Sequence, residues 1–340
     1  MKFKDGERKC MINMPELRLS DKVKEYLQDV QGKEITLDSL RAELRIDPAS
    51  SSWHSIRKLM LDLTHQKIVK PSGKKNGIYK VIQQVQPVKV FGRARKPPMK
   101  LNFPRDYNTT DELYFAKDII IREGDLILIS GRSNFGKTSV CLNFCAENLE
   151  SNPVLMGNEY TTLDHEPSPR FMNRLDSMDW VEWANGDGED KFTLLPVFDD
   201  YAEHIVKDRI NIIDWINIAT GEHFLISKVM EDIKRALGKG IGIVAIQKSE
   251  GATAGRGGQF TKDFADVEIL LDSYNDDEIL MTLGKVKESR ARLNNRAYAL
   301  GLENGVKIVD FRELKKCSCY KGFRGGKRCE DCYGTGYKEV

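Results

Sequence analysis

The sequence predicts an α/β protein. It has a mostly parallel sheet with flanking helices over about residues 112–312, a small module of three helices and a hairpin before it, and a cysteine-bearing tail after it. Three observations predict this. Strand-like and helix-like segments alternate from 112 to 312, the pattern by which a chain joins parallel strands through crossover helices. An apolar run, Leu126–Ile129, leads into spaced glycines and then a helical stretch, Val140–Leu149. Cys317, Cys319, Cys329 and Cys332 crowd the end of the chain.

The first module spans residues 15–83. Ser20 is expected to cap a helix carrying Val23, Tyr26, Leu27 and Val30, and Thr36 a second carrying Leu37, Leu40 and Leu44. A third helix starts after Ser50, with Trp53, Ile56, Leu59, Met60 and Leu63 as its apolar stripe. Two β-like runs follow, Lys67–Lys70 and Ile78–Ile82, joined by the basic, glycine-containing turn 71–77. Residues 84–111, rich in proline and positive charge toward their start, read as a loose linker. Later strands are expected at Pro153–Met156, Thr193–Phe198, Arg209–Trp215, Gly240–Ile246 and Ile279–Val286, with a helix over His223–Leu237 whose Leu225, Val229, Ile233 and Leu237 recur every four residues. Residues 313–340 form the cysteine segment.

The 340 residues are 40% hydrophobic and 31% charged, the composition of a globular protein of two or three domains. No run of about 18 apolar residues occurs and the N-terminus lacks an apolar signal core, so neither a membrane span nor secretion is expected and the reading is cytoplasmic. The net charge of +2 hides a split: residues 1–110 hold 23 of the 53 Lys+Arg against 12 of the 51 Asp+Glu, leaving 30 against 39 for the rest. A basic front on a more acidic body favours a nucleic-acid-facing module, although a solvated basic face gives the same count.

The segment Gly131-Arg132-Ser133-Asn134-Phe135-Gly136-Lys137-Thr138-Ser139 has the spacing of a phosphate loop. Its glycines permit a tight turn whose backbone N–H groups point at phosphate oxygens. Lys137 reaches the β- and γ-phosphates, and the Thr138 hydroxyl is a ligand for Mg²⁺. In open parallel sheets ligands gather at the carboxyl ends of strands. Three later strand-like runs end in polar residues: Met156 leads to Asn158 and Glu159, Ile213 to Asp214, and Ile246 to Gln247 and Lys248.

This order of phosphate loop, Glu, Asp and Gln resembles the RecA-like ATPases, and more narrowly the ATPase domain of DnaB-type helicases and their phage and plasmid relatives, over roughly 200 residues. The resemblance implies ATP and Mg²⁺ as cofactors, with Thr138 and Asp214 around the metal. It further implies Glu159 as polariser of the attacking water and Gln247 as γ-phosphate sensor. Pro167–Leu175 resembles the helix that follows this Glu in the family. The glycine-rich stretch from Lys248 to Gln259 is similar to the family's DNA-channel loop, which makes Lys248 and Arg256 phosphate contacts. Lys287 and Arg290, after the strand ending at Val286, are the candidates for an arginine-finger role across a subunit boundary, although the family's Lys-x-Arg spacing is not reproduced.

The front module resembles a winged helix, which would bring His54, Ser55, Arg57, Lys58, Lys74 and Lys75 to nucleic acid; such modules also dock proteins. The four tail cysteines offer a tetrahedral thiolate set for structural Zn²⁺, the second pair resembling a DnaJ-type zinc knuckle and the first one residue tighter than usual. The leading reading is an ATP-driven helicase or DNA remodeller acting on single-stranded DNA in replication or recombination, assembled as a homo-oligomeric ring such as a hexamer. The other is a nucleotide-switched DNA-binding regulator or loader without translocation. A small-molecule kinase sharing the loop is the weakest, because no acceptor-substrate motif is recognisable.

Overall fold

A computed structural model describes residues 18–83, 87, 91, 97–157, 159–164, 166–216, 225–248, 255, 257–320 and 322–340. The chain divides into two compact units, 1–94 and 95–340.

In the first unit, helices α1 (Leu19–Asp29), α2 (Leu37–Glu43) and α3 (Ser51–His65) pack with strands β1 (Glu34–Thr36), β2 (Val69–Pro71) and β3 (Ile78–Val81). The strands form an antiparallel sheet in the order β1-β3-β2, so β1 adds a strand beside the expected hairpin. Thr36 caps α2 through a reciprocal box with Ser39, and Ser50 caps α3 on the Trp53 N–H. Ser20 does not cap α1: the helix starts at Leu19 behind Arg18, which leaves Ser20 inside the first turn. The apolar faces converge on one core that includes Val23, Leu27, Leu40, Ile56, Met60 and Leu63.

The second unit is built on a ten-stranded mixed sheet, ordered β15-β12-β11-β10-β9-β4-β8-β7-β5-β6. Six strands run parallel: β4 (Leu126–Gly131), β5 (Val154–Met156), β6 (Thr193–Leu195), β7 (Ile210–Ile213), β8 (Ile241–Gln247) and β9 (Val267–Ser273). Such strands are covered on both faces and read as unbroken apolar runs. In β4, Ile127 and Ile129 enter one core and Leu126 and Leu128 the other, as the two-residue period of a strand requires. The first core takes helix α4 (Lys137–Glu147); the second takes α6 (Ile226–Ala236) through Ile226, Met230 and Ile233.

Antiparallel strands extend the sheet beyond β9: β10 (Ile279–Val286), β11 (Ala297–Glu303), β12 (Lys307–Lys316) and β15 (Tyr337–Glu339). Between β12 and β15 lies a small hairpin, β13 (Phe323–Arg324) with β14 (Lys327–Arg328). The tail expected over 313–340 is therefore stitched to the main sheet, because β15 pairs with the end of β12.

The reading of 84–111 as a loose tether is corrected over 97–111. Phe103 is buried edge-on to Phe115 at 5.9 Å. Asn102 donates its side-chain N–H to the Glu147 carbonyl at 2.7 Å, satisfying an open carbonyl at the end of α4, and exchanges two further bonds with Asn148. A buried aromatic and a helix-end clasp outweigh the proline and charge signals that suggested a linker.

Candidate functional site

Strand β4 sits between β8 and β9, and its last residue, Gly131, is in register with Gln247 and Leu271. The chain then turns through residues 132–136 into α4. Asn134 and Gly136 carry positive φ, 66° and 74°. At Gly136 the left-handed backbone is what demands glycine; a Cβ would also press on the side-chain tip of Leu302 at 2.9 Å. Lys137 opens the helix with only 9% of its surface exposed, and its Nζ donates to the Arg132 carbonyl at 2.7 Å. Arg132 lies over the Phe135 ring.

A cavity of about 450 Å³ opens over this loop, lined by Ser133, Asn134, Gly136, Lys137, Thr138 and Ser139 together with Glu159, Arg170, Arg174, Trp215, Leu302 and Gly305. Asp214 follows the end of β7, and Tyr160 donates to its Oδ2 at 2.7 Å. Burial pushes the Asp214 carboxyl up, while the bond from Tyr160, the Thr138 hydroxyl and the Lys137 charge pull it back. Burial likewise lowers Lys137, opposed first by Asp214. Asp214 Oδ1 is buried and has no hydrogen-bond partner among the described residues. Leaving such an oxygen unsatisfied costs about 1–3 kcal/mol. A hard divalent cation shared with Thr138 would satisfy it, and the donor set fits Mg²⁺ carried in with a nucleotide triphosphate. Glu159 is exposed, its Oε1 3.5 Å from the Trp215 indole nitrogen.

Five residues at this cavity escaped sequence reasoning: Arg170, Arg174, Trp215, Leu302 and Gly305. Arg170 and Arg174 stand four apart on α5 (Pro169–Asp176), a spacing that puts them on one helix face. Gly305 belongs to the tight turn between β11 and β12; Asn304 and Gly305 carry φ of 49° and 71°, and the Asn-Gly pair was its legible signal. Ser139 Oγ donates to the Gly305 carbonyl at 2.5 Å, and Asn143 to that of Val306 at 2.8 Å, so the hairpin rests on α4.

Gln247 is half-buried beside the loop. Lys248 is a correction. Its side chain is 6% exposed and its Nζ lies 2.5 Å from Asp272 Oδ2, in an ion pair rather than toward a channel. Arg132 stands 3.9 Å from the same carboxylate. Arg256 lies outside the described residues, as do 249–254 of the same loop.

The structure does not bring Lys287 or Arg290 to the phosphate loop of their own chain. Strand β10 runs against β9, so its end, Val286, pairs with Val267 at the edge of the sheet opposite the loop. Lys287 pairs there with Asp266 at 2.8 Å, and Arg290 donates to the Lys117 carbonyl. Asp266 is also bound by Lys234 and by the Leu126 N–H. Burial raises the Asp266 carboxyl, but the bonds from Lys234 and Lys287 hold it below its ordinary value.

The four tail cysteines converge, their sulfurs all within 4.8 Å of one another. Cys317 and Cys329 lie 3.9 Å apart, Cys319 and Cys332 3.5 Å. The Gly336 N–H points at the Cys332 sulfur from 3.3 Å. Four sulfurs this close, not paired as disulfides, suit one tetrahedral soft-metal ion. In the first unit, His54, Ser55, Arg57, Lys58 and Lys75 are exposed, whereas Lys74 pairs with Glu34 at 3.0 Å.

A glycine-containing loop between the central parallel strand β4 and helix α4, on a large mixed sheet with flanking helices, fits the RecA-like α/β fold. No protein-family model matches the chain and no curated protein matches it. Among solved structures it is similar to the KaiC-like protein PH0186 from Pyrococcus horikoshii OT3, at 14% identity over 63% of this chain and 99% of that one, TM-score 0.46. It is similar to the RadB recombinase at 14% identity over 56% and 91%, TM-score 0.41. It is also similar to a DnaB-like replicative helicase at 13% identity over 55% and 59%, TM-score 0.39.

Proposed function

We propose that the chain binds ATP with Mg²⁺ and hydrolyses it. The observation that carries this is one cavity whose wall holds Lys137, Thr138 and Glu159, with the buried Asp214 carboxylate and its unsatisfied Oδ1 acting on Lys137 and Thr138. Lys137 and the loop N–H groups hold the β- and γ-phosphates. Thr138 and Asp214 hold the metal, which supplies charge neutralisation at the phosphates. Glu159 orients the attacking water, and Gln247 reads the γ-phosphate from the neighbouring strand end.

The second part of the proposal is that the cycle acts on nucleic acid, with identical subunits in a ring working on single-stranded DNA as a helicase or remodeller. The basic front, with Arg57, Lys58 and Lys75 exposed, supports a winged-helix contact. A four-cysteine zinc knuckle completes the organisation. One observation favours the other reading, a nucleotide-controlled DNA-binding switch: Lys248 is spent on Asp272. ATPase rates with and without single-stranded DNA, double-stranded DNA and RNA, followed by strand displacement, separate the two. A motor shows stimulation and displacement; a switch shows ATP-dependent binding and neither of these. Absence of any ATP turnover overturns the first part.

A further inference from the structure

We propose that Arg170 and Arg174 form a γ-phosphate clamp supplied by the same chain that supplies the phosphate loop. The inference rests on the ATP reading above and assigns the triphosphate-sensing cations within it.

Helix α5 is fastened to the residues proposed for catalysis. Ser168 caps it on the Phe171 N–H, donates its hydroxyl to the Glu159 carbonyl at 3.1 Å, and donates its own N–H to the Tyr160 carbonyl at 2.8 Å. On the buried side Phe171 packs its ring 4.7 Å from that of Tyr160, whose hydroxyl holds Asp214. The other side presents Arg170 and Arg174 to the cavity.

Neither arginine has an ion pair or hydrogen bond among the described residues, whereas Arg105, Arg122 and Arg312 are each held by a carboxylate. Two like charges four apart on a helix repel by a few tenths of a kcal/mol, which an anion between them would reverse. The cavity they face already holds Lys137 and the loop. Their helix is tied through Ser168 to Glu159, the residue proposed to orient the water that attacks the γ-phosphate, so the phosphate assigned to them is the terminal one. A guanidinium suits this task, since its fork bonds two phosphate oxygens at once and charge builds on those oxygens as the γ-phosphoryl group leaves. Lys287 and Arg290 lie at the strand ends away from the loop, so among the described residues the arginines lining the cavity come from α5.

The test measures dissociation constants for ADP and for a non-hydrolysable ATP analogue, and ATP turnover, in Arg170→Ala, Arg174→Ala, the double variant, Arg174→Lys and Lys137→Ala. In the double variant the analogue should bind about tenfold more weakly while ADP changes less than about twofold, and turnover should fall roughly a hundredfold. Arg174→Lys should restore part of the affinity and little of the rate. Equal losses for both nucleotides, or none, overturn the clamp. If Lys137→Ala leaves both nucleotides bound as before, the nucleotide reading itself fails. If Lys137→Ala weakens both and the arginine variants weaken neither, only the clamp fails. Recovery of turnover on mixing the double variant with Lys137→Ala subunits would place the arginines across a subunit boundary and overturn the same-chain assignment.

Discussion

Lys137 lies in a wall where 9% of its surface is exposed and burial lowers its pKa, beside a carboxylate that burial pushes toward its neutral form. A nucleotide phosphate and its metal reward both at once. Lys137→Ala is therefore expected to lose nucleotide binding and turnover together. Glu159→Gln should bind ATP like the parent and lose turnover by about 10²–10⁴, read by calorimetry and phosphate release. A second residue-scale prediction concerns Asp266, whose carboxyl is held below its ordinary value although burial opposes this. Its contribution to stability is present above the unfolded carboxylate pKa and is lost as pH falls through the lower, folded one. Asp266→Asn should cost roughly 3 kcal/mol in denaturant unfolding at pH 7, with the gap closing below about pH 4. At this scale the positions of Lys137 and Asp214 were legible, because each follows an unbroken apolar strand that the sequence marks by itself. It misled at Lys248, because the partner that buries it, Asp272, lies on another strand and leaves no local trace.

Among elements, β4, β7 and β8 were readable because strands covered on both faces are continuous apolar runs with nothing to compete. The strands β1 and β15, three residues each at sheet edges, carry no period to read. The segment 97–111 was misread because a single buried Phe103 and an Asn clasp, both set by tertiary packing, decide its place. The turn entering α4 gives the sharpest element-scale test. Gly136→Ala forces a side chain onto a left-handed backbone, costing about 1–2 kcal/mol, and sets its Cβ against Leu302. Nucleotide binding should vanish in calorimetry while the melting temperature falls by only a few degrees. A variant that binds ATP normally would show that the loop has room that the structure denies.

For the whole molecule, the four cysteines predict one bound metal ion. Purified protein should carry one zinc, and Cys329→Ser with Cys332→Ser should carry none and lose hydrogen-exchange protection at Tyr337–Glu339, since β15 returns to the sheet directly from the cluster. Among the described residues no helix is long and apolar enough to cross a membrane. The placement of the cysteines has a mechanical consequence. Strand β12 starts beside the Asn304-Gly305 turn that Ser139 holds, and ten residues later it delivers the chain to Cys317. At about 3.4 Å per residue that is a span of roughly 30 Å, with helix α4 at one end and the four-cysteine cluster at the other. Whatever grips the cluster pulls, along one strand, on the turn whose Gly305 lines the cavity.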